Sequence, residues 1–183
     1  MGIIKNFKEN KNAKNEIKEK VRVFVMEGAK LKISIETQGL TGETKAKIDA
    51  LMDKISNWIE EICRTHDGIT GEEANKKCQL ISEALQSISD AIDREAVYQK
   101  VDKENVEKTN AYFNDREARR TINPRDFAVL RESLRNEGEW SAIGLSRAQG
   151  KVVEAEAFCR KINKRSGKTA SLAENGVEEQ SRG

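Results

Sequence analysis

The sequence has very little proline, few aromatic residues and no long apolar run. Among its 183 residues there is a single proline, Pro124, and the aromatic residues make up 5% of the chain. So little proline leaves long stretches free to be helical. No apolar run is long enough to span a bilayer, and no secretory signal is seen. We therefore expect a cytoplasmic protein that does not use a membrane as a partner.

Cysteine and histidine are also scarce, which limits the chemistry that the chain can perform. The three cysteines, Cys63, Cys78 and Cys159, are odd in number and lack the spacing of a disulfide framework, which indicates a reducing compartment. Any Cys–His pair must use His66, the only histidine, and no orienting context for a nucleophile surrounds it. No glycine pattern forms a phosphate-binding loop. We expect neither enzymatic activity nor a cofactor.

The sequence also lacks an excess of charge of either sign. Charged residues make up 35% of the chain and hydrophobic residues 37%, yet the net charge is only +2. This composition predicts many exposed helix faces. A nearly neutral chain gives no global argument for binding nucleic acid, so any such argument must come from local clusters of basic residues.

The spacing of the apolar residues changes within the amino-terminal fifth of the chain. Residues 1–20 are rich in Lys, Asn and Glu and are interpreted as a polar arm. Between 21 and 36 the apolar residues alternate around Gly28, which is typical of a β-hairpin. They are Val21, Val23, Val25, Leu31, Ile33 and Ile35. A helix over 17–36 is the alternative, because Ile17, Val21 and Phe24 also fit a helical stripe. The open edges of a hairpin would favour self-association.

Two helices with seven-residue apolar repeats follow. The first opens near Thr41, with apolar residues at Ile48, Leu51, Ile55, Trp58 and Ile62. The second opens near Thr70, with Ala74, Cys78, Ile81, Leu85, Ile88 and Ile92. Such repeats pack helix against helix. The short link between them predicts an antiparallel αα-hairpin.

The remainder is predicted to be helical up to a tail. Asn123 and Pro124 are typical of a helix start, and Gly138 is predicted to end that helix. A last helix is predicted from about Leu145 to Lys164, with the apolar stripe Ala148, Val152, Ala155, Cys159 and Ile162. Residues 166–183 are predicted to be a disordered tail. The predicted fold is mainly α: a helical domain at 21–165, built on the αα-hairpin with a small amino-terminal β-hairpin at 21–36.

A cluster of arginines is the first candidate site. Arg116, Arg119 and Arg120 share a helix face by their spacing, and Arg125 follows on the next helix. Together they could contact a phosphate backbone, with the aromatic residues at 112 and 113 as a stacking surface. Acidic residues are interleaved with these arginines, and this pattern is typical of a solvated, salt-bridged face.

A metal site is the second candidate. Cys63 and His66 lie at the end of one predicted helix, and Cys78 lies early in its antiparallel neighbour, so the three could meet near the loop. A structural zinc site requires four ligands with closer pair spacing than this. The competing interpretation is that Cys78 is a small apolar residue of the core.

Three functional hypotheses follow from these patterns. The leading one is a non-enzymatic interaction protein (an adaptor, chaperone-like factor or regulator) that acts through helix surfaces on a protein partner or on itself. The second is a nucleic-acid-binding accessory protein that uses Arg116, Arg119, Arg120 and Arg125. The third is a metal-binding protein centred on Cys63, His66 and Cys78.

Overall fold

The long stretches without proline form long helices in the computed structural model, which describes residues 2–65, 71–121 and 123–180. The side chains of 2–11, 13, 63–65, 118 and 165–180 are outside that description. The helices are α1 (Gly2–Thr37), α2 (Gly42–Thr65), α3 (Gly71–Asn114), α4 (Ala118–Thr121) and α5 (Pro124–Gln180). Over the described ranges the chain contains no strand, so the fold is all-α.

The predicted β-hairpin at 21–36 is wrong, because these residues lie inside α1. The buried residues of this segment are Val21, Phe24, Leu31 and Ile35, which follow the helical period, whereas Val23, Val25 and Ile33 are exposed. Of the alternating valines only Val21 also belongs to the helical stripe. Packing of this stripe onto α2 and α3 overrides the strand preference of the β-branched residues.

A tight turn joins α1 to α2. Gly39 and Gly42 have φ angles of 67° and 81°, in the left-handed region that favours glycine. Between them Leu40 is buried, and its N–H donates to the carbonyl of Ile35 at 3.2 Å. The turn therefore ends α1 and reverses the chain while it places one more apolar side chain in the core.

Side-chain hydrogen bonds between helices show the direction in which each helix runs. Lys20 bonds to Asn75 and Gln38 to Asp93, so α1 and α3 run parallel. The backbone of Thr41 bonds to Gln99, whereas Glu61 pairs with Lys77, so α2 and α3 are antiparallel, as predicted.

Helix α5 returns antiparallel to α3. Lys151 of α5 bonds to Glu83, and Ser141, ten residues earlier, bonds to Glu95. The four long helices therefore alternate in direction, in the order α1, α2, α3 and α5, and form an up-and-down bundle. α2 and α3 contact both α1 and α5, so these two helices are the centre of the bundle.

The core consists of the predicted apolar repeats. In α2 and α3 the residues predicted for the αα-hairpin are buried, apart from the half-buried Trp58. In α5 the predicted stripe is buried along its whole length. These sites are Ile48, Leu51, Ile55, Ile62, Ala74, Cys78, Ile81, Leu85, Ile88, Ile92, Ala148, Val152, Ala155, Cys159 and Ile162.

Small residues bring α3 and α5 close together. Ala84 and Ala91 of α3 and Ala148 of α5 are buried with at most 1% of their surface exposed. A Cβ atom placed on Gly144 would lie 2.8 Å from the Cδ atom of Arg94 and 3.5 Å from the Cα atom of Ala91. A side chain at this position would displace the Arg94 side chain and would touch the backbone of Ala91, so glycine favours the close approach of the two helices.

Helix α5 is longer than the two helices predicted for this part of the chain. It passes through Gly138 and Gly150 without a break and continues to Gln180. Packing against α3 explains the continuity at Gly138, where an added Cβ would lie 3.3 Å from the ring of Tyr98. The backbone is thus helical past residue 166, where the sequence predicts a disordered tail. That prediction concerns order in solution, and it stays a prediction.

The α3–α5 pair extends beyond the bundle. The α1–α2 turn reaches along α3 only as far as Gln99. Neither residues 96–114 of α3 nor residues 124–140 of α5 include a buried side chain. We call these two segments the stalk, and its α3 half is about 28 Å long at 1.5 Å per residue.

Substitutions in α1 test the helical register against the rejected hairpin. Phe24→Ala removes a side chain that is 6% exposed, and we expect it to lower the free energy of unfolding by about 3 kcal/mol. Val25→Ala removes one that is 58% exposed, and we expect a change within about 0.5 kcal/mol. Urea unfolding followed by circular dichroism measures both. A larger loss for Val25→Ala than for Phe24→Ala would contradict the helix.

Candidate functional site at the tip of the stalk

The tip of the stalk is a short connection that holds the predicted arginine cluster. It comprises residues 113–126, from the end of α3 through α4 to the start of α5. The Asp115 carboxylate accepts the N–H of Glu117 at 2.9 Å and so caps the start of α4. The Asn123 side-chain oxygen accepts the N–H of Arg125 at 3.0 Å, with Pro124 in the first position of α5. The predicted start of this helix is therefore confirmed.

One of the four predicted arginines has a structural task. The Arg119 guanidinium donates to the carbonyl oxygens of Tyr112 and Phe113, through Nε at 3.0 Å and Nη2 at 2.8 Å. These carbonyls belong to the last turn of α3 and have no partner within the helix. Arg119 therefore caps α3 and ties α4 back onto it, and its donors are engaged within the tip.

The other three predicted arginines are available to a partner. Arg116, Arg120 and Arg125 are exposed, and toward the described part of the chain their guanidinium groups form no hydrogen bond or ion pair. The structure thus places all four predicted residues in one connection of about ten residues. Three carboxylates lie among them, at Asp115, Glu117 and Asp126. The tip is consequently only slightly positive.

One arginine farther along α5, Arg135, is neutralised. Arg135 pairs with Glu132 at 2.6 Å and with Glu139 at 3.4 Å. The hydrogen bond and charge of Arg135 lower the pKa of Glu132, and the same pairing raises the pKa of Arg135. This face of the helix is the salt-bridged surface that interleaved charges predict. Arg135 therefore adds little to the basic surface of the tip.

Aromatic residues form the end of the stalk. The ring of Tyr112 packs edge to face against Phe113 and Phe127, with centroid distances of 5.5 Å and 5.1 Å. This cluster joins the end of α3 to the first turn of α5. Phe113 remains 64% exposed, although it belongs to the cluster. An exposed aromatic ring in the same connection as three free guanidinium groups is a surface suited to a partner.

A groove lies at the other end of the stalk, where the α1–α2 turn meets α3. Its volume is about 1040 Å³, and both the turn and the side of α3 that carries Gln99 line it. Four carboxylates and two lysines are in its lining, so the groove is acidic. These residues are Glu43, Asp93, Glu95, Asp102, Lys100 and Lys103. Sequence reasoning missed this groove, because its acidic residues come from two segments that only the turn brings together.

The predicted metal ligands fall in different environments. Cys78 is a buried free thiol in the core, as the competing interpretation expects, and its burial raises the thiol pKa. His66 and the side chain of Cys63 lie outside the described residues. Among the side chains that the structure does describe, no group of three His, Cys, Asp or Glu residues is placed to hold a metal ion. The metal hypothesis therefore gains no support from Cys78.

Two buried charged residues were not predicted. Lys77 is 2% exposed and pairs with Glu61 at 3.8 Å, with its ammonium group 6.0 Å from the centre of the Trp58 ring. Glu95 is 4% exposed and accepts hydrogen bonds from Ser141 and Gln99. Each side chain is satisfied by partners from neighbouring helices, which is the expected condition for a buried charged group. Both therefore have a structural role in joining the helices.

Comparison with known proteins gives no relative. No protein-family model matches the chain, and neither a curated protein nor a solved structure is similar to it. None of the described helices combines the length and the apolar character needed to cross a membrane.

The capping role of Arg119 predicts a local effect on the tip. Arg119→Ala removes two charge-assisted hydrogen bonds to the end of α3, each worth about 1 kcal/mol net at an exposed site. We expect about thirtyfold faster hydrogen exchange of the amides at 112–121, with little change in the bundle. Arg116→Ala is the matched control, and its exchange should equal that of the wild type. Equal exchange in both variants would show that Arg119 does not hold the tip.

Proposed function

We propose that this chain is a non-enzymatic interaction protein, an adaptor or regulator that binds a protein partner through the stalk. The observation that carries the proposal is the uncovered apolar repeat of α3. Cys78, Leu85 and Ile92 lie seven residues apart and are at most 4% exposed. After the polar residue Gln99 the same series continues into the stalk at Val106 and Phe113, which are 49% and 64% exposed.

The uncovered repeat has a simple geometric cause. Within the bundle, α1 and α2 cover this side of α3, and both end at the turn beside Gln99. Beyond the turn the repeat continues, but the covering helices do not. Exposed apolar residues that continue a packing seam are typical of a helix-binding surface. The predicted cytoplasmic location is kept in this proposal, and Cys78 and Cys159 are free thiols there.

Site-specific crosslinking tests the proposal. A photoreactive phenylalanine analogue replaces Phe113 in one variant and Val153, which is 59% exposed on the bundle, in the control. After irradiation in an extract of the source cells, we expect discrete protein adducts from position 113 and none from position 153. An adduct of this chain with itself also counts. Position 113 giving no adduct, or the same adducts as position 153, would remove the proposal.

The free arginines favour a second candidate, a nucleic-acid-binding accessory protein. Arg116, Arg120 and Arg125 offer three unengaged guanidinium groups in the same connection as the exposed ring of Phe113. Such a surface can contact phosphates and stack a base. The three interleaved carboxylates of the tip weaken this candidate, since they oppose the approach of a phosphate backbone.

Salt dependence of binding tests the second candidate. If three arginines contact phosphates, the slope of log K against log salt should be about −2 to −3 for single- or double-stranded oligonucleotides. Arg120→Ala should reduce that slope by about one, while Arg147→Ala, an exposed arginine of the bundle, should leave it unchanged. Absence of binding at low salt would eliminate this candidate.

A further inference from the structure

We infer that the stalk pairs with the stalk of a second copy of this chain, antiparallel, so that the tip of each copy enters the acidic groove of the other. This inference rests on the proposed function and names its partner. Three observations lead to it: the uncovered repeat, the opposite charges at the two ends of the stalk, and the area of the stalk face.

In the stalk, the exposed side of α3 and α5 matches the side on which another pair of helices packs in the bundle. In the bundle, α3 and α5 are covered by a second pair, α1 and α2, and the four together bury both seams. In the stalk the same two helices lack that second pair. The half-buried residues Phe127 and Leu134 continue the α5 seam, which is buried at Ser141 and Ala148. A second stalk supplies a helix pair with the same repeats and so completes a four-helix layer.

The charges at the two ends select the antiparallel arrangement. The tip has four arginines against three carboxylates, so it is slightly positive, whereas the groove has four carboxylates, of which Glu95 is buried, against two lysines and is acidic. Parallel pairing would place tip against tip and groove against groove, so like charges would meet. Antiparallel pairing about a two-fold axis places each tip in the partner's groove, and both contacts form at once. Gln99 lines the groove and belongs to the series of Val106 and Phe113, so groove and seam share one side of α3.

The area of the stalk face agrees with a reversible dimer. A face about 28 Å long and two helix diameters wide covers about 500 to 600 Å² on each copy, from helix dimensions alone. Both copies together reach about 1,000 to 1,200 Å², which is the lower limit for a specific interface. The seam alone would therefore pair weakly. The contacts of tip and groove add area and determine the direction.

A charge exchange between tip and groove tests the inference on the full chain. The tip variant is Arg116→Glu with Arg120→Glu, and the groove variant is Asp93→Lys with Asp102→Lys. In a dimer of either variant with itself, both contacts between tip and groove are repulsive. In a one-to-one mixture, the tip of each variant faces a groove of opposite charge, so both contacts of the mixed dimer are attractive.

Sedimentation velocity at moderate salt measures the outcome. We expect a wild-type dimer, a dissociation constant at least about tenfold weaker for each variant alone, and recovery of the wild-type value in the mixture. Arg147→Glu on the bundle is the matched control and should dimerise normally, and circular dichroism verifies that every variant is folded. A monomeric wild type, or variants whose mixture fails to recover, overturns the inference.

The same measurements separate this inference from the proposed function. If the wild type is monomeric and position 113 still crosslinks to another protein, the stalk binds a different partner and only the self-association fails. If position 113 gives no adduct at all, both fail. Loss of oligonucleotide binding in the tip variant without recovery in the mixture assigns the arginines to phosphates and overturns the inference.

Discussion

The close packing of α3 on α5 is the constraint on which the rest of the structure depends. It is possible because small residues line both helices, with Gly144 near Ala91, where a Cβ atom would displace the Arg94 side chain. Contacts between the two helices extend from Glu83 with Lys151 in the bundle to Tyr112 with Phe127 at the tip. The pair therefore continues beyond α1 and α2 as the stalk, and the tip is held far from the bundle core.

Polar residues determine the register of this pairing. An interface of alanine, glycine and serine is nearly uniform along its length, so apolar packing alone would permit sliding. The buried carboxylate of Glu95 finds the hydroxyl of Ser141 in only one register. A slip of one turn would remove the Ser141 hydroxyl and leave that buried carboxylate with the Gln99 amide of its own helix, at the cost of one hydrogen bond to a buried charge. The Glu83–Lys151 pair lies farther along the same interface and agrees with the same register.

Much of the fold could be predicted from the sequence, wherever the apolar repeat was long and regular. The stripe that runs from Ala74 to Ile92 was read correctly, because such spacing satisfies only one kind of secondary structure. The prediction of a hairpin at 21–36 was wrong because a short run of β-branched residues fits both the strand period and the helical period. Tertiary packing decided between them, since Phe24 reaches the core only from a helix. The break predicted at Gly138 failed for a related reason: packing against Tyr98 compensates for the low helix propensity of glycine.

The candidate site was predictable in part. The spacing of the arginines indicated a basic cluster, and Asn123 with Pro124 indicated the turn that brings Arg125 to it. The engagement of Arg119 with carbonyls of α3 had no signal in the sequence, because it depends on where α3 ends. The acidic groove was also hidden, since Glu43 and Asp102 are far apart in the chain.

The small apolar area that two helices bury is the strongest physical support for the proposal that the stalk binds a partner. Two helices bury far less apolar area per residue than four, and isolated helix pairs are marginal in water because ordering each residue costs conformational entropy. The capping by Arg119 and the cluster of Tyr112 with Phe127 hold the tip closed. They do nothing for the exposed seam at Val106. A partner that covers the seam would stabilise the stalk by mass action, in proportion to the logarithm of its concentration over the dissociation constant. Binding and local stability are thus linked through the same uncovered residues.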